Sequence, residues 1–502
     1  MLPFVFIDFV CFLPEIFIGC SICFFLVYGS FISTIKFFYL NKTFILRKVC
    51  FWVTLQLLLL VIILLCNNPV IFGIAFYGCV ISDFASFFSK IILVFLCFCS
   101  ILVSFSYLKG NLFNAFEYFV LVLFSCLAML LIISANDLVS FYLSLELQAL
   151  AFYTLASFKR NSAFSTEAGL KYFIMGAFSS GIFLFGSSLV YGSTGSTNFM
   201  VFKTLFFIDF FSGSSNSLLL GLVFIFVGFL FKLGAAPWHL WMPDVYEGSP
   251  TCVSLFFAIV PKMALLCCLA RVAFSSFFSL VSLWEYIFLF SSFFSIAVGS
   301  FGALGQRKIK RFLAFSSIGH IGFILLCFAC GSLEGLQSAF FYVILYSFMA
   351  FSFWSFLLVF NFGKPFKYLD DLEFLIFENP VLVGILVFLL FSIAGIPPLG
   401  GFYAKFFVFF CVVESSFYFF ALVTVFFSAV SAFYYLRIVK ILSYQINFFN
   451  KASFLSKFSF YSEISKSHGF ALSFSFFVLF FFSIIPGILL LVTHRVAINF
   501  MI

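Results

Sequence analysis

Apolar runs of roughly 17–25 residues recur along the whole chain, and this is the length that a helix needs to cross a hydrocarbon core about 30 Å thick. The chain has 502 residues, of which 65% are hydrophobic and only 9% are charged. Soluble domains carry about 25% charged residues, so this composition cannot cover a water-exposed surface. The sequence therefore predicts an all-α polytopic membrane protein.

About fourteen spans follow from apolar length and from the Pro and Gly residues that break helices. They are residues 14–35, 50–66, 87–107, 115–134, 138–158, 169–191, 217–237, 250–274, 283–303, 312–330, 336–361, 379–410 (interrupted), 417–442 and 470–493. Outside three lysines assigned to span interiors, all basic residues but Lys90, Lys203, Arg271 and Arg495 fall on one side. The positive-inside rule assigns that side to the matrix or cytoplasm, with both termini opposite. The net charge of +8 then reflects orientation and gives no sign of nucleic-acid binding.

Phe occurs 93 times, more often than packing requires. A T-rich coding sequence would produce this excess, because replacing Leu by Phe at a position that faces lipid has a small free-energy cost. The bias favours a mitochondrially encoded protein of the mitochondrial inner membrane, with the bacterial plasma membrane as the alternative. The N-terminal stretch has acidic residues and no Lys or Arg, unlike a signal or transit peptide.

Four charged side chains are assigned to the interiors of predicted spans: Glu146, Lys232, Lys262 and Lys405. Glu146 is about eight residues into its span, or roughly 12 Å deep at 1.5 Å per residue. Each such charge costs at least about 2.5–3.5 kcal/mol, and charges of this kind usually mark ion or proton paths. A lysine suits proton transfer because burial favours its neutral form and a nearby carboxylate favours its charged form. The alternative is that Glu146 and a lysine only lock two helices together.

Two of the lysines lie beside helix breakers. Lys232 precedes Pro237 by five residues, and Lys405 follows the run Pro397, Pro398, Gly400 and Gly401. Proline and paired glycines do not continue a regular helix, and broken membrane helices are tolerated where they line a polar cavity. We therefore expect spans 7 and 12 to be interrupted.

The position of the breaks indicates an internal repeat. Spans 4–8 and 9–13 each hold five helices with the broken one in fourth place, and an odd number of helices inverts the second unit, as in many transporters. The predicted segments are an N-terminal three-helix part (1–114), two inverted five-helix repeats (115–274 and 283–442) and a C-terminal loop and helix (443–502).

Four stretches of this sequence resemble a known family. They are LELQALAFYTLASFKR and the following residues to 199, FKLGAAPWHLWMPDVYEGSPTCVSLFFAIVPK (231–262), LAFSSIGHIGFILL (313–326) and AGIPPLGGFYAKFF (394–407). They are similar to the antiporter-like membrane subunits of proton-pumping NADH:quinone oxidoreductase, respiratory complex I, and among these to subunit 2. Together with the intervening spans, the resemblance covers roughly residues 135–440.

The resemblance implies a proton path and a place in the membrane arm. Glu146 and Lys232 match the family's switchable acid–lysine pair, Lys262 its central lysine, and Lys405 the lysine near the outer exit. No cofactor is expected in this chain, since the two C-x-x-C pairs lie in apolar stretches without His. NADH, FMN, iron–sulfur clusters and ubiquinone are expected in partner subunits, and the neighbours are other membrane-arm subunits and lipids.

Other polar residues are weaker candidates. His239, Asp244 and Glu247 follow span 7 on the basic side, and they either supply protons or organise the loop. His320 in span 10 either relays protons or packs as a hydrogen-bonded histidine. Three rival functions remain: a subunit of a multi-subunit Na+/H+ exchanger, an unrelated secondary transporter, and a scaffold for neighbouring subunits.

Overall fold

The protein is almost entirely helical. The structure is a computed structural model, and it describes residues 8–34, 39–68, 72–110, 116–207, 216–359, 366–375, 379–443 and 465–501. The helices are α1 (Leu13–Thr34), α2 (Tyr39–Cys66), α3 (Phe84–Gly110), α4 (Glu117–Ser134), α5 (Leu138–Ala156), α6 (Ala163–Thr194), α7 (Phe199–Phe207), α8 (Asn216–Leu233), α9 (Trp241–Gly248), α10 (Thr251–Ala270), α11 (Val281–Leu304), α12 (Ile309–Ala329), α13 (Leu333–Val359), α14 (Pro380–Ala394), α15 (Gly400–Glu414), α16 (Tyr418–Ser443), α17 (Lys466–Ile484) and α18 (Gly487–Met501). A π-helical turn, Arg271–Ser276, extends α10, and two short antiparallel strands, β1 (Gly73–Ala75) and β2 (Val80–Ser82), join α2 to α3.

Thirteen helices in the described part of the chain are long and apolar enough to cross a membrane. With the split pair α14 and α15 they correspond to the fourteen spans predicted from the sequence. Both predicted interruptions are present: α8 ends at Leu233 before a non-helical segment, and α14 is separated from α15 by residues 395–399. Gly400 and Gly401, predicted from the sequence to be among the helix breakers, instead form the first turn of α15. The polytopic fold is therefore confirmed, while the inverted repeat remains a prediction.

The C-terminal span differs from the prediction of one helix over 470–493. Helix α17 ends at Ile484, and α18 starts at Gly487. Pro486 lies between them and has no N–H with which to continue the hydrogen-bond ladder. Helix α18 is only 15 residues long and packs against α3 and α13. Gln337 Nε2 donates a hydrogen bond to the carbonyl of Leu490, which ties α18 to the start of α13.

Three helices form the centre of the bundle. The spanning segments of α10 and α13 are completely buried within this chain, and that of α12 is almost completely buried. Helix α10 packs against α3, α4 and α13, so both halves of the chain surround it. Its middle carries Lys262, which is buried within the chain.

Two basic residues assigned to the outer side by sequence are in fact buried. Lys90 Nζ donates to Glu15 Oε1 at 2.5 Å, and both side chains are more than nine-tenths buried. Arg271 pairs with Asp83 at 2.9 Å. Each residue lies about one or two turns from a span end, where an interfacial position and a buried one have the same sequence signature. These pairs tie α1 to α3 and the end of α10 to the start of α3.

We expect Lys90→Met to destabilise the protein strongly, because it leaves the buried Glu15 carboxylate without its partner. Breaking a buried pair in this way costs about 3–5 kcal/mol, whereas replacing both charges is often neutral. The double variant Glu15→Gln/Lys90→Met should therefore recover most of the loss. The midpoint of thermal unfolding of the solubilised protein measures both effects.

The exposed pair Glu167–Lys171 provides the control for this prediction, since its side chains are about half exposed. Replacing Glu167 by Gln, which breaks this pair alone, should change stability by about 0–1 kcal/mol. Equal effects at Lys90 and Glu167 would contradict the assignment of Glu15–Lys90 as a buried structural pair.

Candidate functional site: buried lysines at two broken helices

The first break places a lysine at the carboxyl end of a half-helix. Helix α8 ends in a left-handed residue, Gly234 (φ 75°), and the N–H of Ala235 donates to the carbonyl of Leu230 at 2.9 Å. This is the Schellman arrangement that closes helix ends. Trp241 Nε1 donates to another terminal carbonyl, that of Phe231, at 2.9 Å. Lys232 lies in this last turn, where the helix dipole favours a positive charge.

The second break repeats this construction. Helix α14 ends in the left-handed Gly395 (φ 85°), and the N–H of Ile396 donates to the carbonyl of Phe391 at 3.1 Å. Lys405 comes from the next half-helix, α15, and its amine donates to the carbonyl of Ala394 at 2.7 Å. Gly395 makes room for it, because a Cβ there would lie 2.9 Å from the lysine Cδ. Both broken helices therefore present a lysine at a negative helix end.

A cavity connects the first two lysines. This first cavity is lined, among others, by Gln148, Tyr172, Lys232, Tyr246 and Lys262. Its volume is about 30 Å³, and about 10–15 Å³ is enough to hold a water molecule. The cavity between Lys232 and Lys262 therefore has room for water.

Tyrosines join the central lysine to the second half of the chain. Lys262 Nζ donates to the hydroxyl of Tyr346 at 2.9 Å and lies 4.6 Å from the centre of its ring. The Tyr346 ring in turn lies 5.1 Å from the ring of His320, centre to centre. His320 Nδ1 is 2.8 Å from the Tyr342 hydroxyl, and its Nε2 is 3.4 Å from that of Tyr435. Because both ring nitrogens have partners that can donate or accept, the imidazole can pass a proton in either direction.

A second cavity connects His320 to Lys405. It is lined, among others, by Ser316, His320, Lys405, Ser431 and Tyr435. Its volume of about 10 Å³ is close to the minimum for one water molecule, about 10–15 Å³. The Lys405 amine also donates to Ser431 Oγ at 3.2 Å. The predicted residues Lys232, Lys262, His320 and Lys405 thus follow one another through the bundle, linked by the two cavities and, between Tyr346 and His320, by a contact of rings.

Glu146 lies beside this series of residues, on α5 between cavity-lining Leu145 and Gln148. Its Oε1 atom is buried and has no hydrogen-bond partner among the described residues. No ion pair of the described ranges joins it to Lys232, although the two groups interact electrostatically. The Glu146–Lys232 ion pair that the family resemblance implies is therefore not formed in this structure.

The acidic residues after the first break take part in ion pairs at the basic side. Asp244 contacts Lys171 at 3.1 Å and Arg311 at 2.9 Å. Glu247 pairs with Lys308 and with Arg311. These contacts hold α9 against α6 and α12, which favours the loop-organising interpretation of both residues over proton supply.

His239 differs from these acids. It lies in the non-helical segment, and its Nδ1 atom is buried without a partner in the described part of the chain. Burial lowers the pKa of His239 below its ordinary value, against the opposing effect of the Pro237 carbonyl. The imidazole is therefore neutral near pH 7.

Sequence reasoning did not identify the tyrosines that connect the two halves. Tyr342 and Tyr346 are four residues apart and so share one face of α13. The sequence feature that could have identified them is the tyrosine hydroxyl. In spans so rich in Phe, each buried Tyr carries a polar group that needs a hydrogen-bond partner.

A bundle of membrane-crossing helices with two broken spans, and with lysines at the breaks and at the centre, defines the antiporter-like class of membrane subunits. Residues 135–431 match the family of NADH:quinone oxidoreductase/Mrp antiporter transmembrane proteins. NADH-ubiquinone oxidoreductase chain 2 of Marchantia polymorpha is 40% identical over 98% of both chains. NADH-quinone oxidoreductase subunit N of Pelagibacter ubique is 43% identical over 86% of this chain and 89% of the relative.

Solved structures share the fold. A chain of respiratory complex I from Thermus thermophilus aligns with a TM-score of 0.74 and 25% identity, covering 95% of this chain and 98% of that one. A chain of the Mrp complex from Dietzia aligns with a TM-score of 0.77 at 17% identity over 97% of both. The chain belongs to the NADH:quinone oxidoreductase/Mrp antiporter family, and the resemblance found in its motifs is confirmed.

Proposed function

We propose that this chain carries protons across the membrane through Lys232, Lys262 and Lys405, under the control of Glu146. It is a proton-translocating subunit of an NADH:quinone oxidoreductase and takes no part in electron transfer itself. The observation that carries this proposal is the position of Lys262, a buried amine in the central helix with a water-sized cavity leading to Lys232 and a tyrosine bridge leading to His320 and Lys405. An ionisable amine placed there without a transport role would carry a large free-energy cost and no functional benefit.

The proton would move by successive transfers between these groups. A carboxylate that approaches an amine stabilises its protonated form, and withdrawal of the carboxylate favours release. Movement of Glu146 relative to Lys232 would therefore load and unload the first amine. Released protons would pass to Lys262 through the first cavity, then by Tyr346 and His320 through the second cavity to Lys405.

Quinone reduction in neighbouring subunits drives this movement in the proposal. Moving one charge against the membrane potential requires about 2.3 kcal/mol per 100 mV, which this chain must receive from its partners. NADH, FMN, iron–sulfur clusters and ubiquinone belong to those partners, and this chain binds none of them. Its neighbours are the other membrane-arm subunits, including the other antiporter-like ones, and lipids.

The protein is a multi-pass membrane protein, and we place it in the mitochondrial inner membrane. Its basic loops then face the matrix and both termini face the intermembrane space. Similarity to a plant chain 2 supports the mitochondrial location, and similarity to a bacterial subunit N keeps the bacterial plasma membrane as the alternative.

Replacing Glu146 by Gln tests the control of the first lysine. The amide keeps the shape of the carboxyl group but cannot stabilise a protonated Lys232, so we expect NADH-driven proton uptake into vesicles to fall several-fold while the complex still assembles. Glu285→Gln is the matched control, since Glu285 lies near the start of α11, away from the line of lysines. Unchanged pumping in the Glu146 variant would contradict its controlling role.

The same vesicles separate proton translocation from Na+/H+ exchange, which the shared fold of the Mrp chain keeps as the second candidate. Proton pumping by a subunit of an NADH:quinone oxidoreductase needs NADH and no sodium. Sodium-dependent proton movement without NADH would support the exchanger instead.

A further inference from the structure

Helices α5 and α6 pack against each other along a line of small residues. A Cβ at Gly169 would lie 2.6 Å from Ser157 Cβ, and a Cβ at Gly176 would lie 2.0 Å from the Tyr153 hydroxyl. The two helices run antiparallel, so one turn further along α6, Ser179 and Ser180 reach the depth of Glu146 on α5. We call this line the α5–α6 groove. It starts beside the basic loop that follows α5.

The hydroxyl of Tyr153 is the polar group at the narrowest point of this groove. The side chain is 8% exposed, and its oxygen is buried without a hydrogen-bond partner among the described residues. Tyr172 and Phe173 hold the ring in edge-to-face contacts with centroids 5.0 and 5.5 Å away. A buried hydroxyl normally has a partner, and packing alone would be satisfied by Phe, which this chain uses freely elsewhere.

Glu146 lies on the same face of α5 as Tyr153, since seven residues are close to two full turns. Helical side chains tilt toward the N-terminus, so the Tyr153 hydroxyl points along the groove in the direction of Glu146. The two groups interact electrostatically, and the Glu146 Oε1 atom is also buried and unpartnered. Along the groove Tyr153 therefore lies between the basic loop and Glu146, and it does not line the first cavity, which Tyr172 borders.

We propose that Tyr153 relays protons from the basic side to Glu146 along the α5–α6 groove. This inference rests on the proposed function, and it gives the carboxylate a proton supply separate from that of the lysines. The hydroxyl accepts a proton from the basic side and donates its own toward Glu146, so the phenol is neutral before and after the transfer. Gly176 is a positioning residue, because its missing side chain leaves the space that the hydroxyl occupies.

Replacing Tyr153 by Phe removes the hydroxyl and keeps the ring contacts. We expect NADH-driven proton pumping per assembled complex to fall by no more than in Glu146→Gln, that is several-fold and less than the ~100-fold that a positioned proton donor can supply, because water partly replaces the hydroxyl. Electron transfer from NADH to an artificial acceptor measures the amount of complex and should not change. Gly176→Ala should reduce pumping in the same way. Gly181→Ala on the same helix is the matched control, since a Cβ there meets nothing within 4 Å.

A double-variant cycle separates a relay from a packing role. If Tyr153 acts through Glu146, Tyr153→Phe should cause no further loss in a Glu146→Gln background, because groups in one pathway are not additive. Additive losses would overturn the proposal. Normal pumping by Tyr153→Phe beside impaired pumping by Glu146→Gln would also overturn it and leave the proposed function standing. Normal pumping by both Glu146→Gln and Lys262→Met would instead remove the proposed function.

Discussion

Replacement of Lys262 by Met should give a complex that assembles and accepts electrons from NADH but transfers protons through this chain about a hundredfold more slowly. Without the amine, a proton must cross the centre of the bundle with no group to hold its charge. That costs at least about 2.5–3.5 kcal/mol on membrane scales, and about 1.4 kcal/mol corresponds to a tenfold change in rate. The measurement is NADH-driven proton uptake into vesicles, normalised to electron transfer from NADH to an artificial acceptor.

Met suits this experiment because it fills most of the space of the lysine stem in a fully packed helix. Lys440→Met is the control, since Lys440 is exposed in the last turn of α16. Tyr346→Phe should give a smaller loss than Lys262→Met, because it removes the hydroxyl that accepts from the amine and leaves the ring in place. Normal pumping by Lys262→Met would refute the central role of this lysine.

The result also separates transport from scaffolding. A chain that only holds its neighbours together would respond to the loss of a buried hydrogen bond through assembly, and the amount of complex would fall with pumping unchanged per complex. In a chain that conducts protons, the amount of complex would stay the same and pumping per complex would fall. Measuring assembly and pumping on the same vesicles therefore decides between the two functions.

The membrane fold could be predicted from the sequence because the length of an apolar run is a local property. The two helix breaks could also be predicted from the sequence, because Pro237, Pro397 and Pro398 cannot donate the backbone hydrogen bonds of a regular helix. Lys262 was recognised for the same reason, because a charge in the middle of an apolar run has no local explanation.

Features that depend on how helices rotate against one another could not be predicted. Lys90 is about two turns from the start of its helix, and only the folded structure reveals its contact with Glu15, 75 positions away. The separation of Glu146 from Lys232 likewise depends on the rotation of α5. A proline can either kink a membrane helix or end it. The presence of Pro486 therefore did not predict that α17 would end there.

Two adjacent glycines in the second broken span, Gly400 and Gly401, test how closely α15 must pack against α14. A Cβ at Gly401 would lie 1.7 Å from the carbonyl oxygen of Ser392 in the last turn of α14, whereas a Cβ at Gly400 would lie 3.5 Å from its nearest neighbour, the carbonyl oxygen of Leu479. Backbone cannot yield as a flexible side chain can. Gly401→Ala should therefore push α15 away from α14, while Gly400→Ala should be accommodated.

We expect Gly401→Ala to destabilise the protein by at least the ~1–3 kcal/mol typical of overpacked cores. It should also abolish pumping, because Lys405 is carried on α15 and its amine bonds to the Ala394 carbonyl of α14 at 2.7 Å. The yield and thermal midpoint of the assembled complex measure the first effect, and NADH-driven proton uptake measures the second. Gly400→Ala, one position away with the same change in helix propensity, should be close to wild type in both. Equal behaviour of the two variants would show that the contact between α14 and α15 does not set the position of Lys405.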